Sequence, residues 1–217
     1  MTDRLRVVVL ASGRGSNLQA IIDAAAGNRI PATVEAVISD RADAYALERA
    51  RRPSIVTHTL SPCGFQDRQA YDAALADLID SHAPGLVALA GFMRILGPAF
   101  VERYAGRMLN IHPSLLPAYT GLDTHRRVID AGEAETGASV HFVTDALDAG
   151  PVIVQSRVEV RPGDDAHTLA ARVLEREHEI YPLAIGWFAE GRLGMRDGRV
   201  WLDGKPLEKP VTVNGTT

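Results

Sequence analysis

Asn110, His112 and Asp148 are the residues of this chain whose types and spacing suggest chemistry. The first two lie in Asn110-Ile111-His112-Pro113-Ser114-Leu115-Leu116-Pro117, and the third in the turn Asp145-Ala146-Leu147-Asp148-Ala149-Gly150-Pro151. They bring a neutral hydrogen-bond donor, a titratable imidazole and an acid able to tune it. Acyl transfer between amines uses such a set and needs no covalent nucleophile. Its tetrahedral intermediate carries an anionic oxygen, and its leaving nitrogen must gain a proton. An amide N–H such as that of Asn110 binds the oxyanion, and one such donor contributes ~10²–10³ in rate. His112 can supply the proton or share the oxyanion. A carboxylate beside it favours the charged imidazole and fixes the ring's orientation. The competing reading has His112 bonding within its own loop and Asp148 as a turn former. Only geometry decides between them.

The elements that must position these residues alternate along the chain. Leu5–Ala11 is nearly continuous in apolar residues, as in a strand buried on both faces. Helical spacing follows at Leu18, Ile21, Ile22 and Ala25, ending near Gly27. Thr33–Ser39, Ser54–Leu60, Leu86–Ala90 and Met108–His112 read as strands, and Asp43–Arg52, Asp67–His82 and Pro98–Tyr104 as helices. Asn110 and His112 then share one face of their strand, and Pro113 holds His112 extended at its end. Pro113–Gly121 is a loop, Thr124–Ala131 a helix, and Ala138–Val143 and Val152–Val160 strands. Asp165–Glu190 holds a long helix that Pro182 is expected to kink or divide. Leu193–Met195 and Arg199–Leu202 flank the hairpin signal Asp197-Gly198. The reading is one α/β domain over 1–204 with a polar, loose tail over 205–217. Its sheet is doubly wound and mostly parallel, with helices on both faces and a short C-terminal β-hairpin. Ligands of such sheets sit beyond the carboxyl ends of the strands. Ser12–Asn17, Gly91–Leu96 and Asn110–Ser114 all fall there, which predicts a site drawing on all three.

Gly13-Arg14-Gly15-Ser16-Asn17-Leu18 begins like a dinucleotide fingerprint, but Leu18 occupies the third glycine position. Asp40 imitates the ribose-binding acid of that fold. A smaller anion fits better: Gly15, Ser16 and Asn17 at a helix N-terminus suit one phosphate monoester. A tight turn capped by Ser16 or Asn17 remains the plain alternative. Other residues carry less. Cys63 lies in a turn with no evident base, and the remaining histidines lack metal-motif spacing. His141 is mid-strand, either facing the crevice or sitting satisfied in the core. Glu177 reads by default as part of a solvated helix face. Arg68 reads as a surface charge that would also suit a carboxylated ligand.

The whole chain sets bounds. It has 217 residues, 46% hydrophobic and 23% charged, with a net charge of −4. That composition is globular, and the charge argues against nucleic acid as a main partner. A single cysteine allows no internal disulfide and no thiolate cage, which fits a cytoplasmic location. No apolar run approaches a membrane span of ~18–20 residues.

The chain resembles the folate formyltransferase superfamily, from about Arg6 to Trp201. The resemblance rests on Ser12–Ile21, Ala90–Leu96, Asn110–Pro117, Gly121–His125, Ser139–Val143 and Leu147–Pro151. The Gly-rich Ser-Asn turn places it nearest the glycinamide ribonucleotide branch. The resemblance implies a formyltransferase fold with a Rossmann-like N-terminal half. It implies formyl transfer from 10-formyltetrahydrofolate, as co-substrate, to the glycinamide ribonucleotide amine in purine synthesis. By position, Asn110, His112 and Asp148 would be catalytic. Gly15, Ser16, Asn17 and Glu177 would bind the ribonucleotide. Arg68, Met93, Arg94, Ile95, Leu96 and Asn110 would bind the folate. No metal, nucleic acid or membrane is implied, and a homodimer is left open. Two relatives of this superfamily are expected not to fit. A formyltetrahydrofolate hydrolase carries an extra N-terminal domain, whereas the first strand here begins by Leu5. A methionyl-tRNA formyltransferase carries a C-terminal RNA-binding domain, whereas little follows Trp201 here. A non-catalytic nucleotide-binding module has only the partial fingerprint in its favour.

Overall fold

A computed structural model describes residues 4–214. The chain divides into two compact units, Met1–Leu109 and Asn110–Thr217. The first unit contains β1 (Leu5–Leu10), α1 (Ser16–Ala26), β2 (Ala32–Ser39), α2 (Tyr45–Arg51), β3 (Val56–Thr59), α3 (Arg68–Asp80), β4 (Leu86–Leu89) and α4 (Pro98–Arg103). Its strands lie in the order β4-β1-β2-β3 and pair in parallel. Val7, Val8, Val9 and Leu10 are fully buried, which explains the unbroken apolar run of β1. Leu18, Ile21 and Ile22 are the buried face of α1. The chain lays β2 and β3 on one side of β1, then returns to place β4 on the other. The order therefore reverses between β1 and β4, and that is where α/β sheets open a ligand crevice.

β5 (Met108–His112) carries the chain into the second unit. There follow α5 (Thr124–Asp130), β6 (Glu135–Phe142), β7 (Val152–Glu159), α6 (Ala166–Ala189), β8 (Leu193–Arg196), β9 (Arg199–Leu202), β10 (Lys205–Pro206) and β11 (Val211–Val213). The strand order runs β11-β7-β6-β5, with β6 and β7 antiparallel and β11 parallel to β7. The β6–β7 ladder shifts register between Val140 and His141. A bulge of this kind bends a strand and re-aims the side chain beside it. β8, β9 and β10 form a separate antiparallel sheet, and Asp197-Gly198 turns its hairpin as expected.

Two expectations change. Pro182 does not divide the long helix, because α6 runs through it from Ala166 to Ala189. Ile180, Tyr181, Ala184 and Ile185 around it are fully buried. That packing offsets the hydrogen bond a mid-helix proline removes. The segment from Lys205, read as a loose tail, instead forms β10 and β11 over its described part. Val211 and Val213 pair beside Val154 and Ser156, and Ser156 Oγ donates to the Val213 carbonyl at 2.9 Å. An unpaired sheet edge outweighs the polar composition of the segment. Residues 215–217 lie outside the described residues.

Candidate active site

In the first unit, the turn after β1 and the loop after β4 are stitched together. Ser12 N–H donates to the Gly91 carbonyl at 3.0 Å, and Met93 N–H donates to Ser12 Oγ at 2.8 Å. Gly15 begins α1 with φ +69, and a Cβ there would stand 2.7 Å from Ala46 Cα. Only glycine fits that position. Ser16 and Asn17 open α1, whose first N–H groups point along its positive end.

The loop that follows β4 combines apolar and charged groups. Met93 and Ile95 are exposed and Leu96 is buried. Arg94 lies over the Tyr71 ring at 5.2 Å, with Asp40 Oδ2 4.0 Å from its guanidinium. Asp40 therefore faces an arginine of this loop. Burial, then the charge of Asp40, pushes the Tyr71 hydroxyl up to about 12. Gly97 N–H donates to buried Asp72 Oδ2 at 2.8 Å. Arg68 joins Asp72, Ala76, Gly97 and Phe100 in lining a cavity of about 460 Å³. Its lining includes Arg68 and begins on the β4 side at Gly97, with none of Met93–Leu96.

In the second unit His112 meets Asp148, and Asn110 reaches that pair through His141, whose Nε2 lies 3.9 Å from Asp148 Oδ1. His112 Nδ1 stands 3.4 Å from Asp148 Oδ2, with both side chains more than nine-tenths buried. His112 Nε2 donates to the Tyr119 carbonyl at 2.9 Å. Both ring nitrogens therefore face oxygen acceptors. Asp148 Oδ2 also accepts from Gly121 N–H at 2.8 Å. The Asp148 turn is held by Gly150, where any Cβ would run into the Phe142 carbonyl.

Asn110 points at a third group, His141. Asn110 Nδ2 lies 3.1 Å from His141 Nε2, and His141 Nδ1 lies 2.9 Å from the Phe142 carbonyl. A carbonyl only accepts, so Nδ1 carries the proton and Nε2 accepts from the Asn110 amide. Burial lowers the His141 pKa; the Phe142 bond and Asp148 oppose it, and His112 adds to the lowering. His141 is thus a neutral acceptor that fixes which way the Asn110 amide faces. The second N–H of that amide is not taken by His141. His125 contributes another imidazole, its pKa lowered by burial and then by His112. Its Nδ1 is buried with no hydrogen-bond partner among the described residues.

Sequence reasoning weighed His141 without choosing, and it missed the contribution of Tyr119 and Gly121. The loop carbonyl and amide carry no side-chain signature. Only the left-handed backbone at Tyr119, Gly121 and Asp123 marks them. Glu177 is a correction: it is buried in α6 rather than on a solvated face. Cys63 is free and exposed. Among the described residues no cluster of three or more His, Cys, Asp or Glu could hold a metal ion, and no helix is long and apolar enough to cross a membrane.

Comparison with known proteins bears on this geometry. Residues 5–185 match the family model described as "Formyl transferase". The chain is 59% identical to phosphoribosylglycinamide formyltransferase of Escherichia coli, over 94% of this chain and 96% of that protein. It is 47% identical to the Haemophilus influenzae enzyme of the same name, over 96% of this chain and 99% of that protein. A solved phosphoribosylglycinamide formyltransferase from Coxiella burnetii superposes with a TM-score of 0.92 at 52% identity, covering 96% of this chain and 99% of that one.

Proposed function

We infer the activity of this chain from its family: it belongs to the formyl transferases. Its reaction is formyl transfer to the amine of phosphoribosylglycinamide, a step of purine biosynthesis. The reading takes 10-formyltetrahydrofolate as the donor and the cytoplasm as the setting. The observation that supports the chemistry is the buried His112–Asp148 pair, with His141 standing between Asp148 and the Asn110 amide.

In this reading the substrate amine attacks the formyl carbon directly. The new C–N bond forms as the carbonyl π pair moves onto oxygen. The Asn110 N–H not used by His141 binds that oxyanion. Collapse restores the carbonyl and breaks the bond to the folate nitrogen, which takes the bonding pair and a proton. The attacking nitrogen loses a proton, so the exchange balances. His112 manages the proton, with Asp148 stabilising the cationic ring. The groups named around His112 are amides, imidazoles, a carboxylate and backbone atoms, which supports direct attack over a covalent enzyme intermediate. His112 Nε2 is engaged by the Tyr119 carbonyl, so substrate must displace that carbonyl to use it. Gly15, Ser16 and Asn17 are assigned to the ribonucleotide phosphate, supported by the helix N-terminus they form. Glu177 is assigned to the ribose, supported by the resemblance. Arg68, Met93, Arg94, Ile95 and Leu96 are assigned to the folate, with Arg68 suited to its carboxylates.

The test is incubation with 10-formyltetrahydrofolate, with and without phosphoribosylglycinamide. Folate release that depends on the ribonucleotide is expected. Equal release in both reactions means water is the acceptor and overturns the reading.

A further inference from the structure

We propose that Arg127 is a positioning residue for Asp148, acting through the single peptide plane between Thr120 and Gly121; the proposal rests on the formyl-transfer reading above. Arg127 Nη1 donates to the Thr120 carbonyl at 2.6 Å and the Leu122 carbonyl at 3.2 Å. Its guanidinium lies over the Tyr119 ring at 5.4 Å, and that ring's hydroxyl donates to Glu133 at 2.7 Å. The cation therefore grips the loop on both sides of Gly121.

A trans peptide is rigid, and its C=O and N–H point in opposite directions. Anchoring the Thr120 oxygen on Arg127 aims the Gly121 N–H the other way. There it meets Asp148 Oδ2 at 2.8 Å, the same oxygen that stands 3.4 Å from His112 Nδ1. The position of that oxygen against the imidazole thus depends on the Gly121 amide, and the amide's direction depends on Arg127. A cation on the carbonyl also polarises the peptide, which strengthens its N–H as a donor. The backbone here needs such an anchor, because Tyr119, Gly121 and Asp123 have φ of 55, 79 and 55. The Tyr119 carbonyl belongs to the preceding plane. Arg127 itself contacts neither His112 nor Asp148 through its side chain.

The experiment uses the full chain with Arg127→Ala and Arg127→Lys. Arg127→Ala is expected to lower kcat about tenfold, the scale of a hydrogen bond to a charged group, with KM for both substrates within about twofold. Its Gly121 amide proton resonance should move upfield and exchange faster with solvent. Arg127→Lys should recover most of the kcat, because an ammonium can reach both carbonyls without the planar fork. An unchanged Gly121 resonance in Arg127→Ala overturns the proposal, as does a rise in both KM values with kcat intact. If Arg127→Ala fails to fold, the lysine variant decides: a wild-type Gly121 resonance supports the proposal, and a lost resonance with wild-type kcat overturns it. The resonance is read without substrate. Its failure is therefore distinct from failure of the formyl-transfer reading, which the wild-type assay detects.

Discussion

His112 is held at both ring nitrogens, by a backbone carbonyl on one side and a carboxylate on the other. Replacing Asp148 with asparagine keeps the shape and removes the charge. Asp148→Asn should cut kcat by ~10²-fold or more, the range of general acid–base contributions, while the ribonucleotide Kd changes little. Steady-state kinetics beside calorimetric binding checks this, and wild-type turnover removes Asp148 from the mechanism. The neutral His141 invites a second substitution. His141→Ala frees the Asn110 amide to rotate, so the oxyanion donor is present part of the time. A loss in kcat of about tenfold is expected, smaller than the ~10²-fold or more for Asn110→Ala. Equal losses in the two variants would mean that His141 does more than orient the amide.

At the level of elements, the turn that carries Asp148 depends on close packing against the end of β6. Gly150→Ala places a methyl group against the Phe142 carbonyl. The turn must shift, so kcat should fall well before stability does. Activity and thermal denaturation of that variant, measured together, decide it; wild-type kcat would show that the turn relaxes without moving Asp148. This level also shows what could be read in the sequence. The strand pattern and Pro113 placed Asn110 and His112 at a strand end, and the structure has them there. Glycines and strand ends located the turn after β1 and the loop after β4, though not the Ser12 bonds that join them. His141 was undecided because strict alternation assigns faces, and the register shift beside it breaks alternation. Tyr119 and Gly121 were illegible because they act through backbone atoms. Glu177 was misread because a charge beside His178 looks like solvated surface until the packing of α6 is known.

Over the whole molecule, protonation of three histidines opposes folding. Burial is the first cause of the lowered pKa values of His58, His125 and His141, all below the ordinary 6.5. At these three positions the unfolded chain then binds more protons than the folded one as pH drops below about 6.5. Their contribution to stability is full above that pH and is lost as pH falls through the folded values. Urea midpoints at about pH 7.5 and about pH 5.5 should therefore differ, the acidic one being lower. His141→Ala should flatten part of that difference, and a pH-independent midpoint in the wild type would contradict the account. β11 has a consequence of another kind. It covers β7 where Val211 and Val213 pair beside Val154 and Ser156. Without those residues β7 would present open backbone donors and acceptors to any other extended chain. β11 is itself the edge of the sheet, but with 3 residues against the 8 of β7 it leaves a much shorter open edge. A chain ending before Val211 should scatter light on concentration even where its turnover is intact.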